Sequence, residues 1–427
     1  MPGPGMELIG EEEIKEVLEV LRGGYLFRYG ISLGPEVDPR FKGKVLQAEE
    51  EVARYCGVRY AVAVNSGTSA LLTALAGLGI GPGDEVIVPG YTFIASMSSV
   101  IFSRAVPVLA EVDRTFNLDP EDVKAKITPR TKAIMAVHMT GSPARLNELK
   151  AIADAHGLFL IEDCAQAFGA TYHGRPVGAI GTIGTFSFNV YKTITSGDGG
   201  MIVTDDEEVY KRCFAFHDQG HSPLRFGVEI GQRPFIGLDF RFTELQAAVL
   251  LAQLRKLPRI VSHLRANKQR YKEIIAELPG IEFRDLPDPA GDCATMLTVI
   301  LPNEELARAV AKDLGTKVIA EAGWHVYSNM EQILEQRTIT AEKCPFTCSP
   351  YTEKGGAMRY WKGMLPRTDA LLARSLNISI GVSDPGLSSG FGVTIRDGLD
   401  VVEERAQRFC EVAGRYLKAP RVSGAAR

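Results

Sequence analysis

The chain opens with apolar positions at helical spacing. Across residues 7–22, Leu, Ile and Val recur three or four apart among glutamates, which predicts an amphipathic helix stopped by Gly23–Gly24. A second helix is predicted over 43–56. From Tyr60 the pattern changes. Short apolar runs at 60–64, 85–89, 106–112, 132–139 and 158–163 read as strands, and the periodic stretches 70–78, 93–104, 120–127 and 146–156 between them as helices. Strands that alternate with helices need crossover connections, so the fold class is α/β with a mostly parallel sheet. Ligands on such sheets gather beyond the carboxyl ends of the strands.

The run 184–190 is a further strand that leads into Lys192, a glycine-rich turn and a second apolar run at 201–204. That order places an amine at the edge of a sheet. Residues 243–278 read as long helices around Pro258, with Thr243-Glu-Leu-Gln as the start. Beyond them lie a strand (296–301), a helix (304–314) and a loop-rich span (338–364). The expected division is a large domain over 1–257, a smaller α/β domain over 258–417, and a disordered tail over 418–427.

Composition narrows the class. With 427 residues, 45% hydrophobic and 23% charged, the chain reads as a globular protein of roughly two or more domains at about 150 residues each. A net charge of −4 gives no nucleic-acid surface, and no apolar run is long enough to cross a membrane. The first residues lack the layout of a signal peptide, so a cytoplasmic protein is expected. Seven cysteines without framework spacing argue against a secreted disulfide scaffold. Cys344 and Cys348 are the one close pair, and no second pair completes a metal site there. His217-Asp-Gln-Gly-His221 is a weak metal pair, because glycine interrupts it. No metal is expected.

Four pieces carry candidate chemistry. Lys192, flanked by Ile, Val, Tyr and Phe, should be partly desolvated, which favours the neutral nucleophile; such an amine condenses with an aldehyde or ketone. Asn65-Ser66-Gly67-Thr68-Ser69 lies between a strand and a helix, where free N–H groups and hydroxyls bind an anion; a plain N-cap is the simpler use of the same residues. Phe93 follows a strand end, and Asp163 closes one. Asp163 either caps the next helix or holds a protonated ring nitrogen. Together the four match what pyridoxal 5′-phosphate needs: a phosphate site, a stacking face, a partner for the ring nitrogen and an amine for the aldehyde.

These motifs resemble those of the DegT family of sugar aminotransferases, which use pyridoxal phosphate on the aspartate-aminotransferase fold (fold type I). The resemblance runs from about Glu7 to near Phe409. It includes Asn65-Ser-Gly-Thr68, Gly83-Asp-Glu-Val-Ile-Val-Pro89, Ile127-Thr-Pro-Arg-Thr-Lys-Ala133, Val137-His-Met-Thr-Gly141, Ile161-Glu-Asp-Cys-Ala-Gln166 and the stretch from Ser187 to Gly200. It implies that Lys192 and Asp163 are catalytic. It implies cofactor contacts from Ser66, Gly67, Thr68, Phe93, Gln166, Ser187 and Asn189. It also implies that residue 241 reaches the phosphate in a neighbouring subunit of a homodimer; the family commonly has Asn there, and this chain has Arg241.

A narrower likeness points to the branch that makes 8-amino-3,8-dideoxy-octulosonate. It rests on Gly24-Tyr-Leu-Phe-Arg-Tyr29, His217 to His221, Arg241 and the loop Asp285 to Asp292. An acidic acceptor wants a cation, so Arg28, then His217 and His221, are candidate substrate contacts. Trp324 and His325 are further candidates, with core packing as their alternative. The expected function is transfer of an amino group from glutamate or glutamine to a sugar aldehyde or ketone. The alternatives are an acceptor that is a nucleotide keto-sugar or cyclitol ketone, an aromatic-amine synthase, a deoxysugar dehydratase (disfavoured by Lys192, since that group carries histidine there) and a non-catalytic cofactor-binding regulator.

Overall fold

The computed structural model describes residues 3–30, 38, 40–223 and 233–417. The tail expected to be disordered, 418–427, lies outside them. Among the described residues there are twelve strands. They are β1 Tyr60–Val64, β2 Glu85–Pro89, β3 Val106–Ala110, β4 Thr131–Val137, β5 Phe159–Asp163, β6 Thr171–Tyr172, β7 Arg175–Pro176, β8 Ile183–Ser187, β9 Gly200–Thr204, β10 Glu282–Phe283, β11 Met296–Ile300 and β12 Ser375–Ser379. Seven of them form one sheet in the order β1-β9-β8-β5-β4-β2-β3. Neighbours from β8 to β3 pair in parallel, and β9 alone runs against its two neighbours. The mostly parallel sheet read from the sequence is therefore present. Lys192 follows β8, which is an interior strand, so its amine sits off a strand's carboxyl end rather than at the sheet's flank.

Both faces of this sheet are covered, as a parallel sheet requires. Period-2 alternation sends Ala61, Ile87, Ile134, Leu160, Phe186 and Met201 into one core. It sends Val62, Val86, Met135, Ile161, Ile183 and Ile202 into the other. The same alternation separates the last two residues of β5. Glu162 turns to the face of Leu160 and Asp163 to the face of Ile161.

The first predicted helix is two. Pro4–Glu7 forms one turn, and Glu11–Gly23 follows after Gly10, whose N–H donates to the Glu13 carboxylate at 2.8 Å. The second helix stops where expected, at a left-handed Gly24 (φ 78°). The short first turn packs directly under the Lys192 turn. A Cβ on Gly5 would lie 2.7 Å from the Ile194 Cα, so glycine is what lets the two backbones meet.

The long helix is single, Glu244–Ile275, and runs unbroken through Pro258. Thr243 and Gln246 cap its start reciprocally. The expected domain boundary at 257/258 falls within this helix. Beyond it, β10, β11 and β12 make a three-stranded antiparallel sheet. Cys344 and Cys348 are joined as a disulfide, and the other five cysteines are free. Among the described residues no helix is long and apolar enough to cross a membrane.

Glu162 anchors the loop that leads into β8. Its carboxylate accepts from the N–H groups of Ile180 at 2.7 Å, Gly181 at 2.5 Å and Gly178 at 2.8 Å. His138 accepts from Ala144 N at Nδ1, so its Nε2 carries the proton and donates to Glu162 at 3.1 Å. These ligand-type atoms, grouped with Cys164, are thus spent on hydrogen bonds. Burial opposes the charge, but His138 and the N–H donors outweigh it and hold the carboxyl below the usual glutamate range. A depressed folded pKa contributes stability above the unfolded pKa and loses it as pH falls through the folded one. Glu162→Gln should cost about 1–3 kcal/mol at neutral pH. Chemical denaturation should show the deficit shrinking below about pH 4.

Candidate active site

The carboxyl ends of β2, β4, β5 and β8 open onto a cavity of about 500 Å³. At one end the helix Gly67–Gly77 presents its first turn, whose N–H groups have no partner within the helix. The simple capping use of this motif is also present. Ser66 Oγ accepts from Ser69 N at 3.0 Å, and Ser69 Oγ donates to Asn65 Oδ1 at 2.6 Å. Ser187, the last residue of β8, lies against the same turn. A Cβ added at Gly67 would stand 2.6 Å from the Ser187 Cβ, so the cradle closes only around a glycine. Thr68, Ser187 and Asn189 also line the cavity.

Asp163 ends β5 on the cavity side and is buried. It accepts from Ser96 Oγ at 2.8 Å and from Ala165 N at 3.1 Å. Ser96 in turn meets Thr92 Oγ1 at 2.7 Å. Burial raises the Asp163 pKa, against the lowering pull of Ser96, Ala165 and Lys192. Lys192 is moved the other way. Desolvation lowers its pKa, while Asp163 and Asp384 pull it back up. The neutral amine expected from its apolar flanks is therefore favoured by its surroundings. Gln166 Oε1 accepts from Thr140 N at 2.8 Å, which leaves its NH2 as the group free to donate.

A segment distant in sequence completes the wall. Main-chain bonds from Thr92 N to His325 O (2.9 Å) and from Ile94 N to Trp324 O (3.0 Å) lay 324–326 beside the loop that carries Phe93. Phe93 and His325 stand 5.1 Å apart, centroid to centroid. His325 Nδ1 pairs with Gly386 O at 2.7 Å, and burial pushes its pKa down to about 3, so the ring is neutral. Trp324 is 65% exposed at the rim. Tyr327, two residues beyond His325, belongs to the core: it is fully buried and donates to Asp369 at 2.8 Å.

Asp384 was missed by the sequence reading. It follows β12, lines the cavity, and is capped by Gly386 N at 2.7 Å. Burial raises its pKa. The one available signal was an acid two residues past an apolar run, as at other strand ends. Ser96 was missed too, though Thr92 and Ser96 are spaced one helical turn apart.

Other expected contacts do not reach the cavity. Arg28 is buried, paired with Glu49 at 2.9 Å, and donates to His217 Nε2 at 2.7 Å. His217 is fully buried as well, and its Nδ1 faces Phe214 O at 2.6 Å. Burial and the adjacent guanidinium push His217 down to about 3. The substrate role expected of both is corrected accordingly: they form a structural cluster, because a cation and a carboxylate withdrawn from water hold each other. His221 lies on the strap next to residues 224–232, which are outside the described residues, and does not line the cavity. Arg241 is held by Asp218 at 2.7 Å and Asp239 at 2.5 Å, and does not line this cavity either. The Asn189 amide bonds Asp198 at 2.8 Å and Tyr191 N at 3.2 Å, so it shapes the lysine turn.

With this geometry in place, comparison with known proteins adds the family. The sequence profile of the DegT/DnrJ/EryC1/StrS aminotransferase family matches residues 7–354. The chain belongs to this family. It is 46% identical over 226 residues to a GDP-perosamine synthase of Caulobacter vibrioides, covering 53% of this chain and 59% of that protein. It is 39% identical over 317 residues to an L-glutamine:2-deoxy-scyllo-inosose aminotransferase of Streptoalloteichus tenebrarius, covering 69% of this chain and 72% of that one. Among solved structures, an aminotransferase from Psychrobacter cryohalolentis superposes with a TM-score of 0.75 at 30% identity, over 97% of this chain and 99% of that chain. The family and these neighbours carry the α/β aminotransferase fold read above.

The electrostatics of this family member give a direct test. Lys192 should react with an aldehyde under reducing conditions at lower pH than an ordinary lysine. Asp384→Asn removes a carboxylate that favours the ammonium, so the rate-versus-pH curve should move to still lower pH. Peptide mass spectrometry across a pH series checks both shifts.

Proposed function

We propose that the protein is a pyridoxal-phosphate-dependent aminotransferase that moves an amino group from glutamine or glutamate to the carbonyl of a nucleotide keto-sugar or a cyclitol, an acceptor with no acid on the reacting ring. The observation that carries the reading is the desolvated Lys192 sharing one cavity with buried Asp163 and the Gly67 cradle. The residues fit the cofactor. The first-turn N–H groups of Gly67 and Thr68, with the Ser66 and Ser187 hydroxyls, would hold its phosphate. Phe93 would face its ring, the Gln166 NH2 would donate to the ring hydroxyl, and Asp163 would partner the ring nitrogen.

When bound, pyridoxal phosphate supplies an electron-accepting ring and an aldehyde. Lys192 would hold that aldehyde through its amine, and its Nζ, when free, would take up and return a proton as base and then acid. Asp163, held in place by Ser96 and the Ala165 N–H, would partner the ring nitrogen, and a cation there would restore the charge that burial opposes. A second copy of the chain is the proposed partner, with Arg241 reaching toward that copy's site.

An acceptor with no acid near the reacting carbonyl is favoured by the charges present. Asp163, Asp198 and Asp384 line the cavity, and Lys192 is the one cation among its described lining residues. Arg28 and His217, which an acidic octulosonate would need, are occupied elsewhere. The names of the relatives, GDP-perosamine synthase and L-glutamine:2-deoxy-scyllo-inosose aminotransferase, support a nucleotide-linked sugar or a cyclitol.

Assays with the full chain and pyridoxal phosphate would pair each donor with nucleotide keto-sugars, inososes and an acidic 8-oxo octulosonate. We expect a nucleotide keto-sugar or an inosose to exceed the acidic octulosonate in kcat/KM by at least about tenfold, roughly 1.4 kcal/mol. Lys192→Ala should cost at least about 10²-fold in kcat. Preference for the acid would overturn the substrate class. Absence of turnover with every pair would favour a non-catalytic regulator.

A further inference from the structure

A second cleft, of about 290 Å³, lies between the long helix Glu244–Ile275 and the β10–β11 region. Arg265, Lys268, Lys272 and Arg284 line it, against one carboxylate, Asp292. Lys268 takes Asp292 Oδ2 as its partner. Arg265 donates only to the Asp292 main-chain oxygen, at 2.8 Å. The Lys272 ammonium stands 4.9 Å over the Phe283 ring. Among the described residues, Arg265, Lys272 and Arg284 have no carboxylate partner.

Arg284 is the decisive group. It is 7% exposed, so its guanidinium has lost nearly all its water. Nη1 donates to Met139 O at 2.8 Å and to Thr140 Oγ1, and Nη2 to Asn117 Oδ1 at 3.3 Å. Its Nε finds no acceptor. Burial pulls its pKa down to about 10, against the raising effect of Asp292. A buried guanidinium without a carboxylate is a costly arrangement. Here an open cleft with two more unpaired cations leads to it, and an oxyanion is the group whose geometry matches the guanidinium fork.

We propose that this cleft is a binding site for a phosphoryl dianion, either inorganic phosphate or the phosphate ester of a small metabolite, separate from the cradle at Gly67. Arg265 and Lys272 meet its outer oxygens, and Arg284 closes the inner end through Nε. Arg284 also steadies Thr140, whose N–H holds Gln166 in the first cavity. Substituting Arg284 would therefore disturb both places. Arg265 and Lys272 are the residues to test.

The experiment is calorimetric titration of the full chain, loaded with pyridoxal phosphate so that the Gly67 cradle is filled. Inorganic phosphate and glucose 6-phosphate are titrated separately in a phosphate-free buffer. We expect one site for at least one of these anions. Its Kd should rise at least about tenfold in Arg265→Ala and in Lys272→Ala, while the melting temperature without anion stays unchanged. Tighter binding of the ester identifies a phosphorylated metabolite as the ligand, and equal binding identifies phosphate itself. No binding up to on the order of 10 mM overturns the proposal. So does binding that persists in both variants, or that appears only in protein free of pyridoxal phosphate, since such binding belongs to the cradle.

Discussion

The fold brings one buried acid, Asp163, and one desolvated amine, Lys192, into the same cavity. Asp163 and Lys192 are each pushed toward neutrality by burial, and each pulls the other toward its charged form. Neither tendency is useful alone. An acid that is costly to ionise is ready to accept a cationic partner, and an amine that is costly to protonate is ready to attack a carbonyl. The surrounding bonds keep that balance from collapsing. Ser96 and the Ala165 N–H fix the carboxylate, while the Asn189 amide and the turn Pro4–Glu7 fix the backbone around the lysine.

The scaffold explains why the two meet. Parallel strands end together on one side of a sheet, so residues far apart in sequence, such as Asp163 on β5 and the turn after β8, arrive at one place. The alternation of side chains then assigns neighbours opposite duties. Glu162 ties down the loop entering β8, and Asp163 one residue later faces the cavity. Chemistry and support thus come from a single dipeptide on one strand. The segment 324–326, fastened to the loop of Phe93 by main-chain hydrogen bonds, adds a wall to the cavity without belonging to the large sheet.

Much of this was legible in the sequence, for reasons of locality. The strand ends, the cradle motif and the lysine turn are written in runs of a dozen residues or fewer, where period and glycine placement suffice. The single long helix was foreseen at its start, since Thr243 and Gln246 form a local cap, but Pro258 suggested an interruption that the neighbouring turns absorb. Arg28 shows where local reading fails. Its loop looks aromatic and basic, and only tertiary packing reveals Glu49 and His217 as its partners. Asp384 shows the converse, since an acid two residues past an apolar run does not by itself say that it ends near Lys192. Charges are the hardest feature to read, because their role depends on which partner the fold brings within reach.

The central claim is that Lys192 is the amine that takes up an aldehyde cofactor in this cavity. It is tested most directly by the absorbance spectrum of the purified chain with pyridoxal phosphate, before and after an amino donor is added. The account predicts a band near the visible edge that disappears on adding glutamine or glutamate and that Lys192→Ala does not form. A spectrum identical in the wild type and the Lys192→Ala variant would contradict it.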